Sequence, residues 1–324
     1  MSTKKILVAG AGGFIGGWLV RELLKDSKNE VISVDIKPKS EWYQSFSDAT
    51  EIVTDLRDNR NTDEVTEGIN EVYNLAADMG GMGFIENNKA LCMMSVSINT
   101  NLLDSARRHG SNKFFYASSA CVYNQSLQKD PKNLGLRESD AYPADPEDGY
   151  GWEKLFSERM SRHFYEDFGL ETRVGRFHNV YGPFGTYDGG REKAPAAICR
   201  KIAQAKLSGN PDIEIWGDGE QSRSFTYIED TLKGINLLME SNFRDPLNIG
   251  SNEMVTINQL VDIVEGIANF KVKRNYNLSA PLGVRGRNSD NELIKSLFNW
   301  QPGVRLVDGL TKTYEWIYRE LSKS

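Results

Sequence analysis

Histidine and cysteine are scarce, three of each in 324 residues. Cys92, Cys121 and Cys199 are scattered, odd in number and free of Cys-x-x-Cys spacing, so neither a zinc site nor a disulfide framework is expected. No metal is expected, and a reducing, cytoplasmic setting is the simpler reading. Positive charge is short as well: 39 Lys and Arg against 45 Asp and Glu leave a net charge of -6, with no basic field to attract nucleic acid. No stretch approaches the roughly 20 apolar residues of a membrane span, and Met1 to Lys5 run straight into an apolar strand. Neither export nor membrane insertion is therefore expected.

What is present is rhythm. Short apolar runs alternate with longer helical patterns, as in parallel strands joined by crossover helices. Strands are expected at Lys5–Ala9, Glu30–Asp35, Glu51–Thr54, Glu71–Ala76, Lys113–Ser118 and Glu171–Arg176. Helices are expected over Lys89–Arg108, with Met93, Val96 and Leu103 facing the sheet, over Gly151–Phe168, and over Leu306–Leu321 with Trp316 inward. After Asn179 the texture changes to Gly, Pro and aromatics. The expected fold is α/β: a Rossmann-type doubly wound parallel sheet over residues 1–178, then a smaller mixed α/β substrate lobe over 179–324, with some later segments returning to the first unit.

Directly after the first strand stand Gly10-Ala-Gly-Gly13-Phe14-Ile15-Gly16, then a helical pattern. Such a turn lets backbone N–H groups approach a pyrophosphate at a positive helix end. Asp35, at the end of the next strand, suits the adenosine ribose hydroxyls and repels a 2′-phosphate, which favours NAD over NADP. Lys37 lies close by and keeps that choice open. Asp55, with Leu56, follows the third strand; it fits an adenine edge and a helix N-cap equally well. Ala76 closes the fourth strand beside the same turn.

Tyr150 and Lys154 are four apart, on one face and one turn of a helix. A cation there, with the charge of an oxidised nicotinamide, is expected to lower the phenol pKa so that it takes a hydroxyl proton. Ser119, at the end of the fifth strand, is placed to hold the same substrate oxygen.

Gly10, Gly13, Gly16, Asn74-Leu-Ala-Ala77, Ser119, Tyr150 and Lys154 together resemble the extended short-chain dehydrogenase/reductase family acting on nucleotide sugars. Within it, Ala77–Ile85, Ser118–Cys121, Gly175–Gly185, Gly189–Pro195 and Gly283–Asp290 resemble the GDP-sugar epimerases that invert two ring carbons, over nearly all of residues 5 to 320. The resemblance implies NAD-dependent oxidation of GDP-mannose at C4, inversion at C5 and C3, and re-reduction, with GDP-L-galactose as product. It implies Cys121 and Lys193 as the acid/base pair, and Gly80, Ala120, Asn179, Glu192, Ala194, Lys201, Gln221, Ser222, Arg223 and Arg287 as further substrate contacts. For Arg223 a structural salt bridge is the alternative. A homodimer is implied too, with the helices near Lys89–Arg108 and Gly151–Phe168 as contact candidates.

The sequence departs from the plant members at Asn124, where they carry proline, and across Ala203–Ile213. A 4,6-dehydratase would carry an acidic pair after the serine, where this chain has Ala-Cys-Val. A 4-epimerase or C4 oxidase shares Ser119, Tyr150 and Lys154 and stays open, as does a non-catalytic NAD-binding sensor or scaffold on the same fold.

Overall fold

The computed structural model describes residues 3–132 and 134–323. Seven strands form one parallel sheet, numbered here along the chain: β1 Lys4–Ala9, β2 Asn29–Asp35, β3 Thr50–Val53, β4 Glu71–Asn74, β5 Lys113–Ser119, β6 Glu171–Phe177 and β7 Leu247–Ile249. Their spatial order is β7-β6-β5-β4-β1-β2-β3, with every pairing parallel. The order reverses between β1 and β4, and in such sheets ligands bind beyond the carboxyl ends of the strands at that point.

Both faces of the sheet are covered, which is why its inner strands read as nearly unbroken apolar runs. Side chains alternate along β1: Ile6 and Val8 join one core, Leu7 and Ala9 the other. The first core includes Leu19 and Val20 of helix α1 (Phe14–Leu23) and Ile235 of the helix Ile228–Glu240. The second includes Leu102 and Leu103 of α2 (Ser95–Arg108) and Phe164 of α3 (Tyr150–Phe168). Helix α3 is tied to β6 inside this core, where Arg176 Nε and Nη2 donate to the two oxygens of Glu158 at 2.9 and 2.7 Å.

The six expected strands stand within two residues of their expected limits, and the last helix runs over Leu306–Leu321. Two details differ. The helix expected over Lys89–Arg108 is broken at Met94 into Lys89–Met93 and α2, and Met93 points outward. β7 is a strand beyond the six expected: its three residues are too few for any period to register, and it joins the sheet from beyond residue 178, where only unspecified segments are expected to return.

The strands Asp212–Trp216 and Lys273–Asn277 pair with each other, and Ser222–Ser224 is flanked by Met254–Thr256 and Gly286–Arg287. Helix α4 (Ala194–Ser208) packs beneath them, with Ile198, Cys199 and Ile202 buried.

Candidate active site

The turn after β1 is built for close approach. Gly10 has φ +83°, favourable for a residue without a β-carbon, and a β-carbon on Gly16 would stand 2.1 Å from the Gly10 carbonyl oxygen. Helix α1 opens at Phe14 with Gly13 as its N-cap and no side-chain cap, leaving first-turn N–H groups for an anion. Asp35 is buried at the end of β2 and accepts from the Lys37 backbone N–H at 3.0 Å. Ala76 lies against Gly10, where a β-carbon would meet its nitrogen at 2.8 Å. These residues fit the pyrophosphate and ribose of NAD. Leu56 sits in the core behind them. Asp55 is not a helix N-cap: its carboxylate grips Arg57 at 2.7 Å, and Asp58 caps the following helix instead.

At the end of β5, Ser119 Oγ accepts from the Cys121 backbone N–H at 3.2 Å, starting the tight turn Ala120–Val122. The Cys121 carbonyl accepts from the Glu147 N–H at 3.1 Å. Helix α3 then begins with Tyr150 packed among Ile85, Cys92 and Cys121. Lys154, one turn on, lies 5.5 Å from the Tyr150 ring centre and 3.5 Å from Glu153.

In the protein alone, burial pushes the Tyr150 phenol well above its ordinary value, and Cys121 and Glu153 add to the rise, against a hydrogen bond with Ser119. The fall expected for it counts the charge of an oxidised nicotinamide together with Lys154, a charge that only bound NAD supplies.

Ser119, Ala120, Cys121, Tyr150, Asn179, Glu192, Lys193, Ala194, Lys201, Gln221, Arg223 and Arg287 all line one cavity, roofed by Met79–Gly83. Gly80 is part of that roof, its Cα packed where a β-carbon would meet Phe84 at 2.8 Å and Arg191 at 3.2 Å. The roof loop is joined to the Lys193 loop by Gly81 N–H donating to the Arg191 carbonyl at 3.1 Å. Cys121 and Lys193 are close enough to act on each other. Burial drives the thiol up to about 11, helped by Glu147 and opposed by Arg287. Burial also drives the Lys193 ammonium down, against the pull of Cys121 and with a push from Arg287.

Other expected contacts are partly occupied within the protein. Lys201 donates to the Glu214 carbonyl at 2.6 Å, Asn179 to that of Ser224 at 3.0 Å, and Gln221 to that of Trp216 at 2.9 Å. Arg223 holds the carbonyls of Ser222, Leu282 and Val284 rather than the carboxylate of a salt bridge. Burial, and after it Arg287, pushes its guanidinium down to about 10. Ser222 does not line the cavity; its hydroxyl donates to the Pro131 carbonyl.

Sequence reasoning missed Glu147 and the apolar wall formed by Ile215, Trp216, Phe225 and Leu282. Glu147 stands in Pro146-Glu-Asp-Gly just ahead of α3, where acids read as solvated helix-start residues. Its partner is Arg287, far downstream, which no local pattern connects to it.

A Gly-rich turn for NAD, a Ser/Tyr/Lys group at the end of β5 and a deep cavity beyond it define an NAD-dependent enzyme of the short-chain dehydrogenase/reductase type. Residues 6–250 match the NAD dependent epimerase/dehydratase family, and the chain belongs to that family. It is 48% identical to GDP-mannose 3,5-epimerase of Arabidopsis thaliana over 98% of this chain and 83% of that protein. To GDP-mannose 3,5-epimerase 1 of Oryza sativa subsp. japonica it is 47% identical, over 98% of this chain and 83% of that one. Among solved structures, UDP-glucuronic acid 4-epimerase from Bacillus cereus in complex with UDP-glucuronic acid and NAD superposes with TM-score 0.84 at 28% identity, covering 98% of this chain and 99% of that one. UDP-glucose 4-epimerase from Thermotoga maritima with UDP-glucose gives 0.87 at 25% identity, again covering 98% and 99%.

Proposed function

We propose that this chain is a GDP-mannose 3,5-epimerase that converts GDP-mannose to GDP-L-galactose by transient oxidation at C4. The single observation that carries the reading is the thiol of Cys121 and the amine of Lys193 in the same cavity as Ser119 and Tyr150. A 4-epimerase needs no such second pair.

Bound NAD supplies the acceptor that takes a hydride from C4 and later returns it. Ser119 holds the C4 oxygen, Tyr150 takes its proton, and Lys154 offsets the negative charge of Glu153 beside the phenol. A ketone at C4 acidifies the hydrogens on C3 and C5, because each carbanion is delocalised as an enolate. Cys121 and Lys193 then exchange protons with the ring, one removing and the other adding. Gly80 lets the roof approach the sugar. Lys201, Gln221 and Arg223 supply cations and an amide dipole for the diphosphate end, while Arg287, with Nη1 3.4 Å from the Cys121 sulfur, stands at the sugar.

The same reading divides the chain into a cofactor unit, 1–178, and a substrate lobe, 179–324. It also includes a homodimer: Trp152 and Phe156, one turn apart on α3, are both exposed, as are Met93 and Met94, and such apolar surface suits a partner. Three unpaired thiols suit a cytoplasmic setting.

The test is product analysis. Purified protein with NAD and GDP-mannose is expected to yield GDP-L-galactose by NMR. A product inverted at C4 alone, from this or a UDP-sugar, would overturn the reading.

A further inference from the structure

Glu153 and Lys154 are both buried in α3. Adjacent residues on a helix point apart, yet the Lys154 ammonium comes within 3.5 Å of Glu153 Oε2. Tyr116 of β5 brings the two together. Its hydroxyl donates to Glu153 Oε1 at 2.9 Å, and its ring faces the ammonium, 4.8 Å from the ring centre. Ser157 donates to the same Oε1 at 3.1 Å. Oε1 is therefore doubly held, whereas Oε2 is buried with no hydrogen-bond partner among the described residues and has the ammonium beside it. A buried carboxylate oxygen left in this state is costly unless its charge has a use.

We propose that Glu153 is a positioning residue that holds and screens Lys154, so that the charge of the nicotinamide decides whether Tyr150 carries its proton. This rests on the reading of Tyr150 as the acceptor of the C4 hydroxyl proton. Lys154 alone, 5.5 Å from the Tyr150 ring centre, would favour the phenolate in every state of the cofactor. Beside Glu153 it forms a pair with no net charge, and the phenol is left with the groups packed around it. These are Ser119 and Cys121 on the turn after β5, Cys92 on the helix Lys89–Met93, and Tyr116 on β5. None of them is a cation, so the positive ring of oxidised NAD is the one charge that draws the proton off, and it vanishes on reduction.

The consequence lies in the lifetime of the ketone. O4 gives its proton to the Tyr150 phenolate as C4 gives a hydride to the oxidised cofactor, and both return together at the end. Between those events the ring carbons exchange protons, and the phenol must keep the one it has taken. With Lys154 screened, reduction of the cofactor itself makes the phenol hold that proton.

The test needs no sugar. The ultraviolet absorbance of the Tyr150 phenolate is titrated against pH as the difference between each protein and its Tyr150→Phe counterpart, with NAD or NADH saturating. The wild type is expected to ionise with NAD and to stay protonated with NADH up to about pH 10. Glu153→Gln keeps an acceptor for Tyr116 and Ser157 but removes the charge, and is expected to lower the midpoint with NAD by about one pH unit, a tenfold change. The double variant Glu153→Gln/Lys154→Met removes both charges and is expected to return to within about threefold of the wild type. An unchanged or raised midpoint in Glu153→Gln overturns the proposal, as does a double variant that keeps the lowered midpoint, since Lys154 would then not carry the effect. A wild type that ionises at the same pH with NADH as with NAD overturns it without any variant. None of these results bears on the sugar product, so a failure here is distinct from a failure of the epimerase reading.

Discussion

Gly151 packs so closely on Cys121 that a β-carbon there would stand 2.4 Å from the Cys121 carbonyl oxygen. This contact sets the start of α3, and with it Tyr150, against the turn that carries Ser119 and Cys121. Gly151→Ala is expected to shift Tyr150 and cut kcat about a hundredfold with NAD still bound, since small misplacements carry such costs. Steady-state kinetics beside NAD titration checks it; an unchanged kcat would mean that the contact yields without moving the phenol.

Tyr150→Phe and Cys121→Ser are expected to separate the two halves of the chemistry. The first removes the acceptor of the C4 hydroxyl proton, so no NADH absorbance develops with substrate although NAD binds. The second leaves C4 oxidation running while proton exchange at the neighbouring carbons falls a hundredfold or more, because a hydroxyl is a far poorer acid/base group. Equal loss of both activities in the cysteine variant would remove its assigned role.

Inside the second core, Arg176 and Glu158 form a doubly hydrogen-bonded ion pair that also receives the Ser118 hydroxyl. Breaking a buried pair from one side leaves a charge without compensation and costs about 3–5 kcal/mol. Glu158→Ala is expected to lower the urea midpoint accordingly, whereas the double change Arg176→Met/Glu158→Leu recovers most of the loss.

His178 is buried, with Nε2 2.9 Å from Asn248 Oδ1, and burial holds its pKa down at about 3 from an ordinary 6.5. The folded form therefore refuses a proton that the unfolded chain accepts. Its contribution to stability is complete above pH 6.5 and is lost progressively as the pH falls from about 6.5 towards 3. Melting temperature against pH is expected to fall less steeply over that window in His178→Gln than in the wild type.

Much of the cofactor half was legible in the sequence because its signals are local. Gly10 to Gly16, Asp35 and the Tyr150/Lys154 spacing each occupy a strand end or a single helical turn, where chemistry and periodicity coincide. The substrate side was legible only through resemblance, since Asn179, Lys193, Gln221 and Arg287 come together from segments far apart in the chain. What escaped was what burial decides. Glu147 and Glu153 look like solvated acids at a helix start, yet both are buried and set the charge around Cys121 and Tyr150. The break at Met94 escaped because Met93 and Met94 are good helix formers whose outward direction depends on the surface that α3 leaves free.

On the proposed reading, a ketone at C4 loosens both neighbouring hydrogens within reach of Cys121 and Lys193. Incubation with NAD and GDP-mannose in D₂O, followed by mass spectrometry and NMR of the sugar, tests it most directly. Solvent deuterium at C5 and at C3 is the result expected. Turnover with no deuterium at either carbon would rule out inversion through a C4 ketone.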